Sequence, residues 1–173
     1  MTFRLLAGLA AIALVASCAT LSEEECLEGN WREIGQRDGQ AGRTASFIAE
    51  HAKACEKAGV VPNPSLWEQG RQAGLPAYCT PSKVYSEGRL GRSLSPVCPS
   101  AQLPMLQHAH DKGQAWYRLT GEINALNREI SELQTRIVKE SDEGKRAVHL
   151  ANIQRLQSRV RLLELRRMTD GTL

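Results

Sequence analysis

Aromatic side chains are scarce in this sequence, 5% of residues, so large rings can fill only a small part of any core. No stretch alternates apolar and polar residues long enough to make a strand, which argues against a sheet. There is no CxxC pair, which counts against a zinc site. A net charge of only +3 excludes a polycation built for nucleic acid. Nucleophile-elbow, phosphate-loop and paired-carboxylate patterns are also missing. His108 and His110 lie near Asp111, yet residues two apart on a helix point about 200° away from each other. His51 and His149 have no patterned partner, and Asp38, beside Gly39, reads as turn or cap chemistry. The sequence therefore predicts no catalytic residue, no metal and no cofactor.

Long apolar runs are missing too, with one exception at the amino terminus. Residues 5–16 contain only Leu, Ala, Gly, Ile and Val, after a short segment whose one charge is Arg4. A dozen residues are too few to span a bilayer core, which needs about twenty, and fit the apolar region of a secretory signal. The run ends Leu14-Val15-Ala16-Ser17-Cys18, which resembles the lipobox of bacterial lipoproteins. Cys18 is then expected to receive a diacylglycerol thioether and, once freed by cleavage, an amide-linked fatty acid such as palmitate. Two or more acyl chains anchor a protein stably where one does not. Ala19 follows the cysteine, and by resemblance to enterobacterial lipoproteins this favours the outer membrane over the inner one.

Export places Cys26, Cys55, Cys79 and Cys98 where disulfides persist. Four cysteines allow three pairings; Cys26–Cys55 with Cys79–Cys98 is favoured, because each closes a local loop. Around them the chain reads as several short helices. Ser22 precedes three glutamates, a helix start with acids in its first turn. Residues 41–58 form a proline-free, Ala-rich stretch with Gly59 as its stop. Ser65 is expected to cap a short helix carrying Leu66 and Trp67, and Pro76, Pro81, Pro96 and Pro99 to divide the chain beyond that helix into short pieces.

A spaced glycine recurs. Trp67-Glu68-Gln69-Gly70 is followed by Gly74, and Tyr85-Ser86-Glu87-Gly88 by Gly91. Gln36-Arg37-Asp38-Gly39, followed by Gly42, and His110-Asp111-Lys112-Gly113 keep the spacing without the ring. A glycine in a helix costs about 1 kcal/mol against alanine, so close helix packing must offset it. Arg43, Arg71, Arg89 and Arg92 sit beside these glycines. They are either a candidate binding face over exposed backbone or solvated side chains outside a packed pair.

With Trp31, Gly35, Asp38 and Gly39, then Trp67, Gly70, Gly74, Tyr78 and Cys79, then Tyr85, Gly88, Val97, Cys98 and Pro99, the chain resembles an uncharacterised group of proteobacterial lipoproteins with a domain of unknown function. The resemblance implies paired cysteines and a coiled-coil tail, and brings no activity. Gln36 and His110 stand where that group usually carries an aromatic ring, so those two units are expected to pack more loosely.

Trp116, Leu119, Ile123, Leu126, Ile130, Leu133 and Ile137 form a heptad seam, and Ile153, Leu156, Val160 and Leu163 a second. Residues 141–144 supply a turn between them, with Asp142 as cap, so two helices joined there run antiparallel. The alternative is one long helix that dimerises between molecules, because Gly144 alone need not break it. The first arm is acidic and the second basic. Arg155, Arg159, Arg161, Arg166 and Arg167 outnumber the acids facing them and form a basic strip. It is either a solvated face, the commoner case, or a contact for anionic lipid, lipopolysaccharide or an acidic partner.

The expected architecture is all-α: short disulfide-stapled helices followed by a long antiparallel hairpin. The expected segments are a signal peptide (1–17), the acylated Cys18 and its tether (18–25), a cystine-stapled glycine-repeat region (26–99), the hairpin (100–168) and a tail (169–173). The expected role is a non-catalytic envelope lipoprotein facing the periplasm, with a membrane anchor and a protein partner and no nucleic acid. The alternative is a module for an anionic lipid or small ligand, and behind it a cell-wall enzyme.

Overall fold

The computed structural model describes residues 20–173, all helices and connections with no strand among them. Cys18 and the signal region lie outside the described residues.

Local chemistry starts most of the helices. Helix α1 (Glu23–Glu28) opens with a reciprocal capping box between Ser22 and Glu25 and stops at Gly29 in the left-handed region. Helix α2 spans Trp31–Gln40. A 3₁₀ turn at Ala45–Phe47 leads into α3 (Ile48–Cys55), and a second turn ends at left-handed Gly59. The helix expected over residues 41–58 is therefore shorter, because the chain turns at Gly42 (φ +71°) before α3 begins. Helix α4 runs from Pro64 to Tyr78; its cap is Asn63, whose Oδ1 accepts from Leu66 N at 3.1 Å, and not Ser65. Pro64 occupies the first helical position, where its missing N–H costs nothing. Pro76 does not break α4, which continues to Tyr78 and closes with Cys79 N donating to Leu75 O at 2.9 Å. Helix α5 (Pro81–Arg89) is capped by Thr80, and α6 runs from Leu103 to Lys139 without interruption. Helix α7 (Glu143–Asp170) starts at Asp142, whose Oδ1 accepts from Lys145 N at 2.9 Å.

The glycines set the tertiary structure. Helices α2 and α4 lie parallel and touch backbone to backbone. A Cβ on Gly35 would stand 2.8 Å from the Trp67 carbonyl carbon, one on Gly70 2.8 Å from that of Arg32, and one on Gly39 3.0 Å from Gly74 Cα. Helices α5 and α6 repeat the arrangement with Gly88 on Gly113, again 3.0 Å from a Cβ to the facing Cα. Gln36 and His110 do not loosen these pairs. Gln36 N is 2.9 Å from where a Gly70 Cβ would stand, and His110 is 6% exposed, because glycine opposite each lets the backbone itself make the contact.

The two pairs correspond residue by residue. After α2, Gly42 N donates to Gly39 O at 2.9 Å and Arg43 N to Asp38 O at 2.9 Å; after α5, Gly91 N donates to Gly88 O at 2.9 Å and Arg92 N to Glu87 O at 3.0 Å. Both turns need a left-handed glycine, Gly42 packed on the Tyr78 ring and Gly91 on the Tyr117 ring. Ser95 joins the pairs, its N donating to Tyr78 Oη at 3.0 Å and its Oγ to Gly42 O at 2.6 Å. Two disulfides staple the region, Cys26–Cys55 and Cys79–Cys98, with Cα–Cα distances of 5.5 and 5.6 Å.

Beyond Gly113, α6 leaves its pair and forms the hairpin with α7. Its seam buries Leu119, Ile123, Leu126 and Ile130 against Ile153, Leu156, Val160 and Leu163, as the heptads require. One helix thus serves both the second glycine pair and the hairpin. The carboxyl end is docked and is no loose tail: Tyr85 Oη donates to Gly171 O at 2.8 Å and Lys112 Nζ to Thr172 O at 2.9 Å.

Candidate functional site

The densest polar cluster joins three distant segments. Asp38, at the end of α2, accepts from His51 Nε2 at 2.7 Å and from Trp67 Nε1 at 2.8 Å on the same Oδ2. The other ring nitrogen of His51, Nδ1, pairs with Thr20 Oγ1 at 2.8 Å. His51 is 1% exposed and Trp67 equally buried, so these bonds form in a low-dielectric setting where an unpaired group would be costly. The Asp38 carbonyl thus serves the turn after α2 while its side chain joins distant segments, and His51 does have partners. Their separations of 13 to 31 residues in the chain follow no local pattern, which is why spacing did not reveal them.

Hydroxyl, imidazole and carboxylate in line is also the connectivity of nucleophilic hydrolases. Here both ring nitrogens, the carboxylate and the Trp67 N–H are all engaged, and the cluster ties the amino-terminal segment, α3 and α4 to α2. Phe47 packs edge-on against His51 at 5.1 Å, and the Arg43 guanidinium lies 4.3 Å above Phe47.

Of the four arginines of the candidate binding face only Arg71 is buried; Arg43, Arg89 and Arg92 are exposed and lie against aromatic rings or a carboxylate at the surface of the fold. Arg71, 5% exposed, forks onto Glu68 with both bonds at 2.7 Å and donates Nη1 to Arg43 O at 3.0 Å. The guanidinium holds the Glu68 carboxyl below its ordinary range. Arg89 stacks 3.8 Å over Trp116, which Arg167 approaches at 5.5 Å. Arg92 pairs with Glu87 at 3.0 Å, and Lys83 reaches the same carboxylate at 2.9 Å. Burial pushes the Glu87 carboxyl up, and the two cations outweigh it, leaving it below its ordinary range. In the second pair, His110 takes the place of Arg71: its Nε2 donates to Arg92 O at 2.8 Å, as Arg71 does to Arg43 O.

On the hairpin, Arg159 reaches Glu122 across the seam at 2.5 Å, Arg166 pairs with Asp170 at 3.0 Å, and Arg167 donates to Thr120 at 3.2 Å. Arg155 and Arg161 bond only to Asn152 and Ser158 and face no carboxylate among the described residues. Beside them on the outward side of α7, Leu162, Leu165 and Met168 are 66, 62 and 66% exposed. Among the described residues, no helix is long and apolar enough to cross a membrane, and no three or more His, Cys, Asp or Glu side chains gather as metal ligands.

Fold and site together define a class: an all-α, disulfide-stapled protein built on two glycine-crossed parallel helix pairs. Residues 30–115 match the family described as Protein of unknown function (DUF2799), so the chain carries a domain of that family. The match begins one residue before α2 and ends two after Gly113, covering both pairs and stopping short of the hairpin. No curated protein and no solved structure matches the chain.

Proposed function

We propose that the protein is a non-catalytic lipoprotein of the bacterial cell envelope, anchored to the outer membrane through acylated Cys18 and offering an interaction surface to the periplasm. The observation that supports this reading most is where unsatisfied surface remains. Asp38, His51 and Arg71 tie separate segments together and Glu87 is paired within α5 and its turn, whereas the outward side of α7 presents Leu162, Leu165 and Met168 beside Arg155 and Arg161. Exposed apolar side chains rimmed by cations suit an acidic, partly apolar protein surface. The lipobox ending at Cys18 and the disulfides agree with an exported chain.

Metabolic labelling with palmitate should mark the protein and fail on Cys18→Ala. A photo-crosslinker at Leu162 or Leu165 should give a discrete adduct in intact cells, and the same group at Gly121, on open α6 surface, should not. Equal adducts from both helices would refute the α7 surface. A second reading, a module for anionic lipid or lipopolysaccharide, is favoured by Arg155 and Arg161, which pair with no carboxylate among the described residues. It predicts vesicle binding that weakens with salt and with Arg155→Gln plus Arg161→Gln.

A further inference from the structure

The amino-terminal segment is fastened to the body very close to the residue that would carry the lipid. Thr20 is bonded to His51, Leu21 is 5% exposed, Ser22 closes the capping box of α1, and Cys26 is joined to Cys55. Cys18 precedes Thr20 by two residues, and two residues of chain reach about 7 Å at most. A tether this short leaves no slack. Acyl chains seated in a bilayer then draw the surface around Thr20 into the headgroup layer.

That surface has a definite chemistry. His51 lies beneath Thr20, Phe47 packs on the His51 ring, and Arg43 covers Phe47 with an exposed guanidinium that forms no ion pair among the described residues. Thr44 and Ser46 complete the turn, their hydroxyls 2.8 Å apart and exposed. Glu50, the acid nearest along α3, is held by Lys53 at 2.9 Å and so adds no net negative charge. An aromatic ring under a cation, close to an acyl anchor, matches the interface between apolar tails and anionic phosphates.

We infer that the face formed by Thr20, the 43–47 turn and the start of α3 lies flat on the bilayer, with Arg43 against the phosphates of anionic headgroups. The inference rests on the acylation of Cys18 proposed above. Lipidated mature protein in vesicles of phosphatidylethanolamine and phosphatidylglycerol, doped with a lipid bearing a headgroup diazirine, tests it. After irradiation, adducts should concentrate in the peptide holding residues 43–51. A long Gly–Ser linker inserted between Ala19 and Thr20 leaves every contact from Thr20 onward in place and should disperse them. Arg43→Ala should lower adduct yield about fivefold, the factor one cation confers near an anionic surface, and only when phosphatidylglycerol is present. An acylated Cys18 with adducts spread evenly, or an unchanged pattern with the linker, overturns the face alone. A Cys18 without acyl groups in the same digest overturns the anchor and the face together.

Discussion

Replacing Gly70 by alanine adds one methyl group and should unfold far more than one methyl's worth of structure. The new Cβ would stand 2.8 Å from the Arg32 carbonyl carbon and 2.9 Å from Gln36 N, both backbone atoms of α2. Carbon atoms in contact prefer about 3.5–4.0 Å, so the helices must part by roughly 1 Å. No flexible side chain can give way. Parting them also disturbs the Gly35, Gly39 and Gly74 contacts of the same crossing. Overpacking a core commonly costs about 1–3 kcal/mol, and a clash of backbone on backbone belongs at or above the top of that range. Against this, alanine returns about 1 kcal/mol of helix propensity. The net expectation is a loss of about 2 kcal/mol or more, which for a chain of this size lowers Tm by roughly 4–8 °C. Gly121→Ala is the control, because nothing lies within 4 Å of its added Cβ. It keeps the propensity gain and should raise hairpin stability by up to about 1 kcal/mol. Thermal melts by circular dichroism with the disulfides intact read both. If Gly70→Ala matched the parent protein, or if both substitutions moved Tm in the same direction, the glycine crossing would not be what holds α2 to α4.

Named contacts set three further outcomes. Serine at both Cys26 and Cys55, which close a 29-residue separation, should cost about 3.6 kcal/mol in urea unfolding, and serine at Cys79 and Cys98, separated by 19, about 3.2; a larger loss from the second pair would contradict the loop-length account. Asp38→Ala leaves the His51 and Trp67 donors without their acceptor, so a loss of about 2–5 kcal/mol is expected from two orphaned buried groups, read by Trp fluorescence during unfolding; an effect under about 0.5 kcal/mol would place it with ordinary surface changes. The Glu68 and Glu87 carboxyls sit below their ordinary value of 4.5 in the folded chain. Their contribution is therefore fully present above that value and fades as pH falls through their folded values. Glu68→Gln with Glu87→Gln should be less stable at neutral pH and should lose less on acidification, as melts from neutral to strongly acid pH would record.

Elements that depend on near neighbours were legible in the sequence. The Ser22 cap, the stop at Gly59, the heptads of α6 and α7 and the Asp142 cap are set by residues within a few positions. The cystine pairing agrees with the shorter loops. Contacts set by the tertiary fold were hidden. Arg71 reads as a surface cation, yet it is buried because Gly39 opposite brings α2 close enough for its fork to span Glu68 and the Arg43 carbonyl. Asn63 displaced Ser65 as cap because Pro64 fixes the helix start two residues earlier. His51 gave no signal at all. Its partners come from the amino-terminal segment and α2, which only the folded chain brings together.

The differences between the two helix pairs suggest what the first one has been elaborated for. Both keep the glycine contact, the left-handed turn, the tyrosine over that turn, and a donor from the second helix to the carbonyl of the turn's arginine. These features are enough to build a crossing, since the second pair has little else. Leu106 stands where the first pair has Trp67, and Glu87, in the place of Asp38, pairs with Lys83 and Arg92 on its own side. Between turn and second helix, the second pair needs only residues 93–102, whereas the first inserts all of α3. Helix α3 is thus dispensable for crossing. What it contributes is His51, which holds Thr20, and Cys55, which holds Cys26 in a cluster with buried Leu21. The insertion grips the amino-terminal segment within a few residues of Cys18, the one place where slack in the chain would decide how the body stands relative to the anchor proposed there.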